Sequence, residues 1–296
     1  MWFIFSVAGY LLLAVVFILD KKILTKSVAR PIVYTFYSTI FLLLLFLLWP
    51  FTSGHVNFFG ALIGLISGLM LGLGLWMLFL AVKAGEATHI DPFVGGVTII
   101  ATYAVSGAFL EESLSSAQIA GVLLIALACL LLSFETSRSH HGWHMGFVWA
   151  IIAGVCFALS AVTAKYLYEQ YSFWNALMWS KGTGGFFALF LLLSPTVRSA
   201  LARTNDSARQ SARSLVVTDK FLGIIGVLFI QYATALGSVT LVNALVGIQY
   251  VTMFILVYLF TLRSPTLFKE YFTRREFIME MAALLAIGLG SALFVL

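Results

Sequence analysis

Charge is what this sequence has least of. Only 10% of its 296 residues are Asp, Glu, Lys or Arg, against about 25% in a soluble globular chain, and so low a share excludes water as its main solvent. Cysteine is nearly absent as well. Cys129 and Cys156 each fall inside an apolar run, where a thiol behaves as an inert small hydrophobe rather than a disulfide partner or metal ligand. Catalytic signatures are missing too: there is no HExxH zinc motif, no GxSxG elbow and no GxxxxGKS phosphate loop. No loop exceeds about 25 residues, too short for a nucleotide-binding domain, so this chain alone is no ATP-driven pump. The first apolar run has neither a basic leader nor a small-residue cleavage site, which predicts a retained helix instead of a cleaved signal peptide.

What is present is apolar and aromatic. Hydrophobic residues make up 61% of the chain, with 27 Phe, 11 Tyr and 7 Trp, and the mean hydropathy is +1.04. Such aromatics suit lipid contact and the interface belts of a bilayer. Ten apolar stretches approach the roughly 20 residues needed to cross it: 2–19, 31–49, 58–82, 91–110, 117–134, 145–167, 173–193, 221–236, 239–262 and 276–296. They are apolar all round, unlike the short alternating segments of a membrane barrel. The predicted fold is therefore all-α and membrane-integral, with ten spanning helices. Gly60, Gly64, Gly68 and Gly72 recur every fourth residue, as do Gly146, Ala150, Gly154 and Ala158, and each stripe predicts a closely pressed neighbour.

The chain also repeats itself. Segment 85–95 (GEATHIDPFVG) aligns with 237–247 (GSVTLVNALVG), with identity at Gly, Thr, Val and Gly and Asp91 opposite Asn243. Each segment joins the third run of a set of five to the fourth. The reading is two five-helix units, 1–134 and 146–296, with 135–145 as linker. An odd helix number turns the second copy upside down in the membrane. Every Lys and Arg except Lys165 and Lys181 lies in the links between runs 1–2, 3–4, 5–6, 7–8 and 9–10. By the positive-inside rule that face is cytoplasmic, which predicts a multi-pass cell-membrane protein with external termini.

Two local motifs resemble one family. Phe109-Leu110-Glu111-Glu112-Ser113-Leu114, followed by Gln118 and Gly121, is similar to the hairpin before the fifth helix of the EamA-type branch of the drug/metabolite transporter superfamily. Ala235-Leu236-Gly237-Ser238-Val239-Thr240 is similar to that family's corner between helices 8 and 9. Ser113 stands where the family usually has Arg. The resemblance covers essentially the whole chain and implies a ten-helix permease of two inverted repeats, moving a small solute by alternating access without covalent chemistry or cofactor. Family substrates range over amino acids, nucleotide sugars, organic cations and other metabolites, so membership fixes none.

Lys181 is the most informative single residue. It lies mid-run with Trp179 before it and Gly182, Gly184 and Gly185 after it, and Lys at a bilayer centre costs about 2.5–3.5 kcal/mol. Either it faces a cavity and binds an anionic part of the substrate, as its likeness to a basic residue in the second helix of the family's repeats implies, or it pairs with a carboxylate or caps backbone carbonyls. Asp91, followed by Pro92, reads as a helix N-cap, while Asp91 with His89 is the alternative of a proton-coupling pair. Asn243, Gln249 and Tyr250 form a polar cluster in the ninth run, and Gln231 and Tyr232 add polarity to the eighth. These are either inter-helix glue or cavity lining. Glu111 and Glu112 read as solvated caps of the fifth helix. His140, His141 and His144 flank Trp143 with no Cys or dense carboxylate set beside them, so no metal site is expected.

Three function classes follow. The leading expectation is a gradient-driven secondary transporter of a small molecule, with Lys181 as anchor, the bilayer as its surroundings and no nucleic-acid partner. A non-catalytic partner or lipid-flipping subunit of a complex is the alternative, with a membrane-embedded enzyme behind it. A homodimer stays open.

Overall fold

The structure is a computed structural model that describes residues 1–24, 30–52, 55–84, 87–133, 145–202, 210–263 and 274–294. The expected linker 135–145, the three loop histidines and several basic loop residues (Lys26, Arg138, Arg203, Arg209 and Lys269) lie, apart from Met145, outside the described residues. Every regular element among the described residues is helical. That is what lipid demands, since a spanning segment must satisfy its own backbone N–H and C=O groups.

The α-helices run in order α1 (Trp2–Leu24), α2 (Pro31–Ile40), α3 (Phe58–Ala84), α4 (Ala87–Phe109), α5 (Ser116–Ser133), α6 (Met145–Gln170), α7 (Phe173–Leu177), α8 (Gly184–Leu191), α9 (Pro195–Ala202), α10 (Gln210–Leu236), α11 (Val239–Ala244), α12 (Val246–Arg263) and α13 (Arg274–Ala292). A 3-10 segment, Phe41–Phe51, continues α2, and a π-helical turn, Met178–Gly182, joins α7 to α8. Seven helical stretches are long and apolar enough to cross a membrane, and an eighth is the broken pair Phe173–Leu191 with Pro195–Leu201, bent by 95°. Shorter apolar helices, Phe221–Leu236 and Met281–Ala292, lie inside α10 and α13. This is the architecture of an all-α, multi-pass membrane protein.

Several expected boundaries move. The fourth helix starts at Ala87, so Asp91 lies in its second turn and is not an N-cap, and Pro92 stands inside the helix, where it has no N–H to give to the carbonyl four residues earlier. The eighth begins at Gln210, well before its apolar part, because hydropathy reports only the lipid-spanning portion of a helix. The ninth run holds one span, Val239–Val257, with a tightened turn at Leu245, whose N–H is shared between the carbonyls of Leu241 and Val242 at 3.2 Å each. Segment 195–202 is a helix whose Val197 is buried against Phe36, Phe187 and Leu191, and Arg198 Nε donates to the Leu192 carbonyl at 2.6 Å.

The fifth helix is capped by a reciprocal pair. Ser115 Oγ accepts from the Gln118 N–H at 3.3 Å and Gln118 Oε1 accepts from the Ser115 N–H at 3.0 Å, a capping box. Glu111 and Glu112 therefore do not cap it. Glu111 instead takes a left-handed backbone conformation, φ 50°, while Leu110 and Glu112 both direct their N–H groups to the Ser106 carbonyl.

Packing is set by small residues. A side-chain carbon built on Gly9 would come within 2.9 Å of the Gly226 carbonyl, bringing α1 against α10. Gly121 and Gly290 face each other in the same way between α5 and α13. Ser67 Oγ donates across to the Ser160 carbonyl at 2.8 Å, between α3 and α6. On α5, Leu123, Leu127 and Leu131 are exposed at four-residue spacing while Val122, Ile125, Ala126 and Cys129 are buried, so one stripe meets lipid and the other the core. Both cysteines are buried and free.

Candidate functional site

The seventh predicted span is the least regular part of the fold, and its irregularity follows from its sequence. Met178–Gly182 forms the π turn, and Gly182, Gly184 and Gly185 come directly after Lys181. The 3-10 segment lies against it. With three residues per turn, Phe41, Leu44 and Leu47 fall on one exposed face, and Leu42, Leu43, Leu45 and Phe46 turn toward the glycines. Side-chain carbons built on Gly182 and Gly184 would each come within 3.0 Å of Phe46 and Leu42, and one on Gly185 within 2.9 Å of the Leu43 backbone nitrogen.

The glycine stripe of α3 closes the other side. A carbon on Gly64 would meet Trp179 at 2.9 Å, one on Gly72 would meet Phe187, and one on Gly68 would strike Thr183 and the Gly184 nitrogen. Thr183 Oγ1 donates to the Gly64 carbonyl at 2.7 Å. The expected close neighbour of this stripe is thus the π turn and α8. The α6 stripe meets α4 instead, with Gly154 against Val97 and the Val94 carbonyl.

Lys181 sits in this turn, 7% exposed. No hydrogen bond or ion pair reaches its ammonium among the described residues. Lys165, the other lysine outside the loops, pairs with Glu169 at 3.3 Å near the end of α6. Trp179 stacks edge-on to Phe46 at 6.0 Å and tilts against Trp49 at 6.0 Å. Residues two apart on a helix do not share a face, so Trp179 packs toward the 3-10 segment while Lys181 belongs to another side.

The remaining candidates form a separate group. Asn243 on α11 donates from Nδ2 to Thr102 Oγ1 on α4 at 3.0 Å. Tyr250 on α12 is buried and donates to the Asp91 carbonyl at 2.8 Å, and its ring fills the space beside Gly95. Gln249 is half-buried, with no hydrogen bond among the described residues. Asp91 is buried; the side chain of His89 lies outside the described residues. The π turn packs chiefly on α3 and the 3-10 segment, whereas α11 and α12 pack on α4, α1 and α5. Lys181 is therefore on a different contact surface from Asn243, Gln249 and Tyr250.

Sequence reasoning missed a chain of polar contacts between α4 and α11. Thr240 Oγ1 donates to Glu112 Oε2 at 2.5 Å and lies 2.7 Å from Ser106 Oγ. Its signal was legible as spacing: Thr102 and Ser106 are four apart on α4, and Thr240 and Asn243 three apart on α11, the offsets that put side chains on one face. A further tie, Tyr168 Oη to Gln231 Oε1 at 3.1 Å, joins α6 to α10.

Comparison with known proteins adds the fold alone. No sequence-family profile matches the chain, and no curated protein matches it. Among 27 matching chains of solved structures, one crystal structure superposes with a TM-score of 0.69 at 16% identity, covering 100% of this chain and 98% of the other.

Proposed function

We propose that the protein is a secondary transporter of a small metabolite, of the EamA-type drug/metabolite transporter kind, in which ten helices form two inverted five-helix repeats. The pattern of helix pairs supports the repeat. Third against sixth (α3 with α6) has its counterpart in eighth against first (α10 with α1), and both pairings are extensive. The two second helices, α2 with its 3-10 continuation and α7–α8, pack on each other, as do the two fifth helices, α5 and α13. A pseudo-two-fold axis in the membrane plane would exchange these partners. The loop charges put the basic face in the cytoplasm and the termini outside.

One observation carries the transport reading: a lysine buried within a membrane-spanning segment, on a π turn, with no protein partner among the described residues. An intramembrane charge is costly and marks a substrate or ion path by default, and single π turns inside helices occur frequently at functional sites. Lys181 binds the anionic or carboxylate part of the solute near the bilayer midplane, and access alternates between the two faces. Gln249, half-buried and free of hydrogen bonds among the described residues, lies on the other contact surface and is not assigned to the site that Lys181 anchors.

A thermal-shift screen of the purified protein and Lys181→Met tests this reading, using amino acids, nucleotide sugars, organic anions and organic cations. Binding to the native state raises apparent stability by about 2.7 kcal/mol at a ligand concentration one hundred times Kd. The expected result is one anionic or zwitterionic class that stabilises the parent and not the variant. Equal responses in both proteins, or a response to lipids only, would remove Lys181 from the site and favour a lipid-handling role.

A further inference from the structure

The polar contacts between α4 and α11 have an internal direction. Thr240 has one hydroxyl proton, and it goes to Glu112 Oε2 at 2.5 Å. Ser106, 2.7 Å away, must then donate to Thr240 Oγ1. The result is a relay, Ser106 to Thr240 to the Glu112 carboxylate, in which each bond polarises the next. Ser106 and Thr240 are fully buried; Glu112 is half-buried on the turn between α4 and α5. The left-handed Glu111 turns the chain so that Glu112 reaches back over the end of α4.

We propose that this relay is a latch between helices: it holds the α4–α5 hairpin against α11 and closes the membrane face that carries the hairpin, which opens only when Thr240 releases Glu112. The proposal rests on the alternating-access reading. Three features make these contacts a switch. They are made by side chains alone, so they exchange without unwinding a helix. Two members of the relay also have another partner: Ser106 Oγ lies 3.3 Å from the Tyr103 carbonyl, and Glu112 returns to water. Finally, α11 is six residues long and meets α12 at a tightened turn, where the Leu245 N–H is shared between two carbonyls and Ile248 bonds back to Leu245 over three residues, so this end of the span is its less regularly bonded part. Of the other ties between these spans, Asn243 to Thr102 lies one turn from Ser106 on α4, whereas Tyr250 to the Asp91 carbonyl is fifteen positions from Ser106 along α4, about 22 Å at 1.5 Å per residue. The Tyr250 tie belongs to the opposite end of the span and does not hold this face.

The test is a labelling rate in purified protein. In a background with Cys129→Ala and Cys156→Ala, Ala244→Cys places one thiol on α11 one turn beyond Thr240, at a position that is fully buried, leaves the Asn243 to Thr102 bond in place, and a bulky hydrophilic maleimide reads how often that face opens. Thr240→Val should raise the rate by about tenfold or more, the scale of losing a hydrogen bond to a charged group. Thr240→Ser keeps the hydroxyl and should label at the parental rate, with Glu112→Gln between the two. A parental rate in Thr240→Val, equal acceleration by Ser and Val, or full labelling of the parent would each overturn the latch. Should Thr240→Val fail to purify as a single species, Ser106→Ala removes the first donor of the relay and must accelerate labelling several-fold; an unchanged rate again overturns it. Solute uptake does not enter the readout. Accelerated labelling without uptake of any solute would leave the latch standing and sink the carrier; uptake with an unresponsive thiol would do the reverse.

Discussion

The N-terminal and C-terminal helices meet along two seams of opposite chemistry. Where α3 meets the π turn and α8, glycines bring backbone to backbone, and Gly68 has no room for even one more carbon beside Gly184. Where α4 meets α11, side chains reach across: Thr102 to Asn243, and Ser106 through Thr240 to Glu112. The first seam is held chiefly by dispersion over fitted surfaces, which falls away as soon as the surfaces part, with one bond to backbone, Thr183 Oγ1 to the Gly64 carbonyl. The second is held by exchangeable hydrogen bonds, which water can replace. The alternating access proposed above would use both, one as a fixed joint and the other as a contact that breaks.

Substitutions can break or sharpen this contrast. The largest effect belongs to the glycine seam. Gly68→Leu drives a side chain into Thr183 and the Gly184 backbone, which cannot yield; overpacking costs about 1–3 kcal/mol even where side chains can shift, so loss of the monodisperse species in size-exclusion chromatography is expected. Lys181→Met works in the other direction. Removing a buried ammonium relieves up to about 2.5–3.5 kcal/mol on insertion scales, and the apparent Tm should hold or rise even as ligand response disappears. A fall in Tm would mean that Lys181 is a structural partner. Glu111→Gly relieves a left-handed conformation worth about 1 kcal/mol, and thermal unfolding should show a small gain. The smallest effect is the coupling of Thr102 with Asn243: a double-mutant cycle with Thr102→Val and Asn243→Leu should give about 0.6 kcal/mol, the average for inter-helix hydrogen bonds in a membrane. A coupling near 2 kcal/mol would make this tie, and not the Glu112 relay, the stronger hold on α4.

The long apolar runs made the helices legible, because in lipid hydropathy and helix formation are the same constraint. The glycine stripe on α3 was legible as a close-packed face, though not its partner, since spacing gives a face and says nothing of the helix opposite. The deviations within helices were hidden. Residues 31–49 read as one uniform apolar run, yet the backbone changes from α to 3-10 at Phe41, where the chain packs against Gly182, Gly184 and Gly185. Asp91 looked like a cap because Pro92 follows it, but α4 begins a turn earlier. Glu112 looked like a cap because acidic residues suit helix starts; Ser115 and Gln118 take that role and leave the carboxylate to Thr240. Lys181 stood out in sequence for the reason it stands out in the fold, a charge where charge is expensive. That its ammonium lacks a protein partner among the described residues is a fact of three-dimensional placement that no spacing rule reaches.

Uptake into proteoliposomes tests the central claim most directly. The solute class that stabilises the parent protein should enter protein-containing vesicles saturably, down an imposed gradient and faster than it enters empty vesicles, and Lys181→Met should abolish the difference. Uptake no faster than into empty vesicles, for every solute that stabilises the parent, would contradict a carrier.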